Sequence, residues 1–258
     1  MIDDLIQYRQ LLYMMTWRDI KIRYKQSVMG FLWAILMPAL IVAAGVLVKQ
    51  AFSAASGRPI NMLDVASLSL KSLPWAFFVS SLRFATNSLT GNSNLVTKIY
   101  FPREIFPFSA LLASLFDFGV ASVVLVLVLA LARVGFSIYL LWLPLFLILL
   151  ILLTAGLGML LSCANLFFRD VKYIVEVLLT FGILFTPVFY EARRFGKWAP
   201  ILLLNPVGSI LEAMNDVVIL HQAPEYGYLA YSACWAILGF TVSWKIFEKA
   251  EAFFAESI

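Results

Sequence analysis

Charge is scarce in this sequence. Asp, Glu, Lys and Arg make up only 13% of its 258 residues, against roughly 25% in soluble domains. Hydrophobic residues make up 62%, more apolar surface than a water-soluble fold of this length can hide, so lipid is the expected solvent for much of the chain. Histidine is nearly absent, with His221 standing alone, and both cysteines, Cys163 and Cys234, lie inside apolar runs. They lack paired spacing and a local His or Asp cluster, so they read as small hydrophobes and no metal site is expected. Also missing is a phosphate-binding loop of the form G-x-x-x-x-G-K-[ST]. The one Gly-Lys pair, Gly196-Lys197, has Glu191 in place of the first glycine and Trp198 in place of Ser/Thr. Any ATP used must therefore be hydrolysed on another polypeptide, and no cofactor is expected on this chain. The lack of a D-x-D cluster in a loop argues against a membrane glycosyltransferase. The net charge of +4 gives no reason to expect nucleic acid. Met1 to Gln10 contains Asp3 and Asp4 and no apolar core, so no cleaved secretory signal is expected.

What is present is a series of long apolar runs. A spanning helix needs roughly 20 mainly apolar residues. Six spans are predicted: Val28 to Val48, Leu73 to Leu89, Ile105 to Ala132, Ile138 to Cys163, Tyr173 to Tyr190 and Tyr228 to Trp244. The expected fold is an all-α polytopic membrane protein. Residues 1–27 form an amphipathic interface helix, 28–190 the first five spans, 191–227 an outer gate segment with short re-entrant helices, and 228–258 the last span with its tail. Irregular backbone at such depth has to be covered by protein or line a wet cavity.

Six spans put both termini on one side, and the loop cations choose which. Eleven Lys/Arg residues fall on the side of the termini and seven on the other, with Arg83 between them. The excess is concentrated before the first span, so both termini are expected in the cytoplasm.

Two charges stand inside predicted spans, where ionisable groups are costly and usually functional. Arg83 falls near the middle of the second span and Asp117 near the middle of the third. The two spans run in opposite directions, so an intramembrane Arg83–Asp117 pair is expected. It reads as a structural ion pair, a substrate contact or a proton relay. Aromatics, at 15% of the chain, mostly suit interfacial belts. Phe181, Phe185 and Phe189 recur every fourth residue and so share one face of the fifth predicted span, followed by Tyr190. Rings in such a row suit the passage of a sugar chain, and they suit ordinary helix packing as well. Trp33, Trp75, Phe77 and Phe78 are weaker candidates for the same lining.

Five motifs in order carry a family resemblance. They are Arg18-Asp19-Ile20-Lys21-Ile22-Arg23-Tyr24 with the following Ser27, Gly30, Leu32-Trp33 and Pro38; Asn94-Leu95-Val96-Thr97-Lys98-Ile99-Tyr100-Phe101-Pro102; Asn165-Leu166-Phe167-Phe168-Arg169-Asp170-Val171; Thr186-Pro187-Val188-Phe189-Tyr190; and Asn205-Pro206. Together they resemble the ABC-2 class of exporter permeases, in the branch of the O-antigen, capsule and teichoic-acid permeases. The resemblance implies a dimer of permeases in the bacterial inner membrane, working with two separate ATPase subunits that hold ATP and Mg. It implies a lipid-linked polysaccharide, most closely O-antigen, as substrate. It also implies that the N-terminal helix and the loop from Gly91 to Glu104 dock the ATPase, with Asn94, Lys98, Tyr100, Phe101, Arg169 and Asp170 as coupling residues. Arg169 and Asp170 suit a helix-end anchor equally. Arg18, Lys21, Arg23 and Lys25 are expected to attract membrane lipid phosphates. An ABC-2 permease for a small drug or lipid, and an ion-coupled carrier needing no ATPase, are the other readings.

Overall fold

In the computed structural model, residues 7–25, 29–30, 32–56, 61–98 and 101–254 are described, and among them every regular element is a helix. The expected start of the first span at Val28 lies outside the described residues, as do Tyr100 and the side chain of Lys98. Helix α1 spans Arg9–Tyr24, α2 Leu32–Ser56 and α3 Met62–Thr86. The short α4, Ser93–Lys98, precedes α5, Ile105–Leu131. A 3₁₀ turn at Ile138–Trp142 leads into α6, Leu143–Phe167, and α7 covers Val171–Phe185. A further 3₁₀ segment, Ala192–Trp198, is followed by α8, Ala199–Leu203, then α9, Pro206–Val218, and α10, Tyr226–Glu251. Five of these stretches, four of them α2, α3, α5 and α10 and the fifth Ile138–Phe167 containing α6, are long and apolar enough to cross a membrane.

The helix ends follow local chemistry. Asp64 accepts the backbone N–H of Asn61 at 3.0 Å, closing the first turn of α3. Asn205 caps α9 by accepting the Val207 N–H at 3.1 Å, with Pro206 pre-set for the first helical position. Helix α7 stops because Thr186 precedes Pro187 and is driven to extended backbone, φ −107° and ψ 133°.

Several predicted boundaries move: α2 runs past Val48 to Ser56, and α10 past Trp244 to Glu251. The second span begins at Met62, eleven residues before the expected Leu73, because Lys71 is buried and paired inside it and does not interrupt it. Arg83 therefore sits in the last turn of α3, not at mid-membrane. Helix α7 has 15 residues, about 22 Å of rise, and falls short of the length set for a span.

Helix α3 is the axis of the bundle, in contact with α2, α5, α6, α7 and α9. The closest backbone approach is between α6 and α10. A Cβ on Gly156 would lie 2.9 Å from Cα of Phe240, so glycine is what lets the two helices meet. Beneath the bundle, Phe101, Ile105, Phe106, Met159, Phe247 and Phe254 close a second core against which Leu11, Leu12 and Met15 of α1 pack. On the opposite side, every residue of α9 from Val207 to Val218 is buried.

Candidate translocation path and coupling surface

Two helices are left largely uncovered by the rest of the chain. In α2 only 6% of the most apolar window is buried, against 67% in α3. In α7 only Val175 and Leu179 are buried. The expected lining residues divide between exposed and packed positions. Phe181 and Phe185 are 58% and 69% exposed on α7, and Trp33 is exposed on α2. Trp75 and Phe78 are buried instead, with ring centroids 5.6 Å apart. The Trp75 indole lies 3.3 Å from where a Cβ on Gly182 would stand. Trp75 packs α3 against α7 with Phe78 behind it, and neither ring is presented on an open face. Phe189 leaves the row of Phe181 and Phe185, because the Thr186-Pro187 break ends the helix between them. Its ring fills the space over Gly45 of α2, where a Cβ would lie 2.9 Å away. Tyr190 stacks edge-on with Phe195 at 4.9 Å.

Beyond the end of α7 lies a buried polar collar that the sequence reading missed. Lys71, 1% exposed, donates to the Tyr190 carbonyl at 2.6 Å and pairs with Glu212 of α9 at 3.3 Å. The same Glu212 oxygen accepts the Ala192 N–H at 3.2 Å. Ser67 donates to Asn215 at 2.6 Å, and Asn205 donates to Thr186 at 2.9 Å. Arg193 bridges Asp216 at 2.7 Å and Glu225 at 2.9 Å. Burial pushes the Asp216 carboxyl up to about 6, with Arg193 opposing and Glu212 reinforcing the shift. The available signal was Lys71 in an apolar run, with Glu212 and Asp216 four apart on a single helical face.

The expected Arg83–Asp117 pair is not formed. Arg83 bridges Glu176 of α7 at 2.7 Å, with both side chains partly exposed. Asp117 accepts from Arg23 at 2.6 Å and from the Tyr24 hydroxyl at 2.6 Å. Burial, then the bond to Asp117, raises the Tyr24 phenol. With Arg83 displaced to the end of α3, the nearest cations to Asp117 come from α1. Arg23 also donates to the Ala110 carbonyl at 3.2 Å and to Ser114 at 3.1 Å, and it stacks 3.7 Å over Phe84. It is thus committed inside the protein and not presented to lipid phosphates. Arg18 pairs with Asp19 at 2.8 Å, Lys21 lies 5.4 Å over the Trp17 ring, and Lys25 is exposed.

On the end of the bundle that carries α4, Asn94, Arg169 and Asp170 are exposed. Phe101 is buried against Phe106, centroids 5.4 Å apart, so it is core and not a presented coupling residue. Asn165 ties this end together, donating to the Thr86 carbonyl at 2.9 Å and accepting the Lys172 N–H at 3.2 Å.

A family profile, that of the ABC-2 type transporter, matches residues 10–219 of the chain. The chain belongs to the ABC-2 type transporter family. This makes it a transport permease, multi-pass in the membrane, and implies an ABC ATPase as partner. Among its relatives is an O-antigen export system permease protein RfbA from Myxococcus xanthus, 29% identical over 100% of this permease and 99% of the relative. A second protein of that name, from Klebsiella pneumoniae, is 27% identical over 95% and 94% of the two chains.

Proposed function

We propose that this permease exports a lipid-linked polysaccharide, O-antigen, across the bacterial inner membrane, powered by two ATPase subunits. The observation that carries the reading is the pair of uncovered apolar faces on α2 and α7, in a chain whose full-length relatives carry O-antigen export names. A lone copy would show both faces to lipid. Two copies facing each other would enclose a path between them, with Phe181, Phe185 and Trp33 along its wall. Rings suit a sliding glycan because CH groups rest on their faces without slow, directional hydrogen bonds.

Helix α7 crosses as a sixth span in this reading, extended by the turn Thr186–Tyr190, and both termini are cytoplasmic. The uncovered end of the bundle, with Asn94, Arg169 and Asp170, takes the ATPase, and α1 lies beside it as the interface helix. Lys25, Lys21 and Arg18 attract the lipid phosphates before entry. ATP hydrolysis on the partner moves this end and ratchets the glycan outward past the segment 191–227, which acts as the outer gate.

Affinity purification from native membranes tests the proposal. A stoichiometric ATPase of the P-loop class, more active in the complex than alone, is the expected result. A chain that purifies alone and transports without ATP would overturn it and recast the protein as an ion-coupled carrier.

A further inference from the structure

Helix α1 does not lie flat against α5 along its whole length. Its C-terminal half is pinned, Asp19 accepting from Ser109 at 2.9 Å and Arg23 reaching Asp117. Its N-terminal half packs by Leu11, Leu12 and Met15 on the core around Ile105 and Phe106. Between these attachments a cleft of about 500 Å³ opens between the two helices. Its floor is apolar, including Leu12, Leu112 and Leu115, and its rim carries Arg9, Tyr13 and Trp17.

The two ends of the cleft differ chemically. Arg9 is exposed and has no carboxylate partner among the described residues. The carboxylate on this stretch of α1, Asp19, is already taken by Arg18 and Ser109. In the other direction the floor runs into the exposed apolar stripe of α5, with Phe116, Val123, Val126 and Leu127. These positions recur at helical spacing, so the cleft continues without a polar break onto surface that only lipid chains solvate. Tyr13 and Trp17, 68% and 45% exposed, are amphipathic rings of the kind that settle at headgroup level. A cationic mouth, an aromatic rim and an apolar floor match one class of molecule, an anionic amphiphile with its head outside and its chain along α5.

We infer that the α1–α5 cleft is a binding site for an anionic phospholipid, its phosphate held by Arg9 and one acyl chain lying on Leu112 and Leu115. The lipid fills the wedge that the chain itself leaves open and fixes α1 against the bundle. The site is separate from the path on α2 and α7, and it depends on the membrane placement of α1, not on which polysaccharide is carried.

Native mass spectrometry of the intact complex, extracted from membranes containing phosphatidylglycerol and phosphatidylethanolamine, tests the site. Wild-type protein should retain phosphatidylglycerol, and Arg9→Gln should lower the retained fraction about fivefold, the effect of one basic residue at an anionic membrane surface. Arg9→Lys should restore retention, and Leu115→Trp should displace the lipid while leaving Arg9 in place. Equal retention by wild type and R9Q would overturn the inference, as would retention of a polyprenyl-linked glycan in place of phospholipid. Should L115W fail to assemble, the R9Q and R9K pair decides the question by itself.

Discussion

Helix α3 carries a lysine, five serines and a proline, and 67% of its most apolar window is buried. Helix α2, its neighbour in the chain, is almost wholly aliphatic there, and 6% is buried. In water these burial values would be reversed. In a bilayer, lipid solvates the apolar helix as well as protein does, so burial brings no hydrophobic gain and is reserved for residues that need partners. Two serines of α3 return hydrogen bonds to their own backbone, Ser69 to the Val65 carbonyl and Ser72 to that of Leu68, while Ser67 donates to Asn215 of α9 and Ser80 to Ser114 of α5. Lys71 finds its partners on the outer segment. Burial of α3 thus accommodates its polar residues, and the exposure of α2 leaves a face for lipid, substrate or a second copy.

The sharpest way to break this contrast is at Lys71. Lys71→Met leaves Glu212 buried without its cation, and the expected loss is about 3–5 kcal/mol. The double variant Lys71→Met/Glu212→Gln should recover most of it, read as thermal unfolding in detergent. If K71M keeps the wild-type midpoint, the burial of α3 does not depend on this pair.

Next is a comparison of two aromatic residues. Trp75→Ala opens a cavity between α3 and α7 and should cost about 3–5 kcal/mol. Phe181→Ala, exposed on α7, should change stability by less than about 0.5 kcal/mol while slowing polysaccharide export in a reconstituted assay. Export unchanged by F181A would remove α7 from the path.

The smallest effect is set by pH. Burial raises the Asp216 carboxyl from its ordinary 3.8 to about 6, so the folded chain holds this proton more tightly than the unfolded chain. The resulting stabilisation is fully present below pH 4 and is lost as pH rises through about 6. Lys71, Glu212, Arg193 and Glu225 all act on the group. The unfolding midpoint of wild type relative to Asp216→Asn should rise by about 2–4 °C between pH 7 and pH 5. A constant difference across that range would place the Asp216 proton elsewhere.

Much of the helical plan was legible from hydropathy alone. Helices α5 and α10 fall close to their predicted spans, and the start of the sixth predicted helix is marked by Tyr226 and Tyr228. The register of α3 was not legible, because a lysine reads as an interruption until its acid is known, and that acid lies on α9. The same error made Arg83 look central and suggested Asp117 as its partner. Arg23 and Tyr24, which hold Asp117, come from 94 and 93 residues away in the chain, a distance no spacing rule reaches. Phe181 and Phe185 share an exposed stretch of α7 as their spacing suggested, whereas Phe189 lies beyond the end of the helix, a break that Pro187 announced.

Lys71 also constrains how the protein is made. A lysine near the middle of a span costs about 2.5–3.5 kcal/mol when the segment is released into lipid. Its neutralising partner, Glu212, leaves the ribosome 141 residues later. Until α9 has been synthesised, that cost in α3 is not offset by the ion pair with Glu212. One buried ammonium thus ties the settled position of the second span to completion of the outer segment.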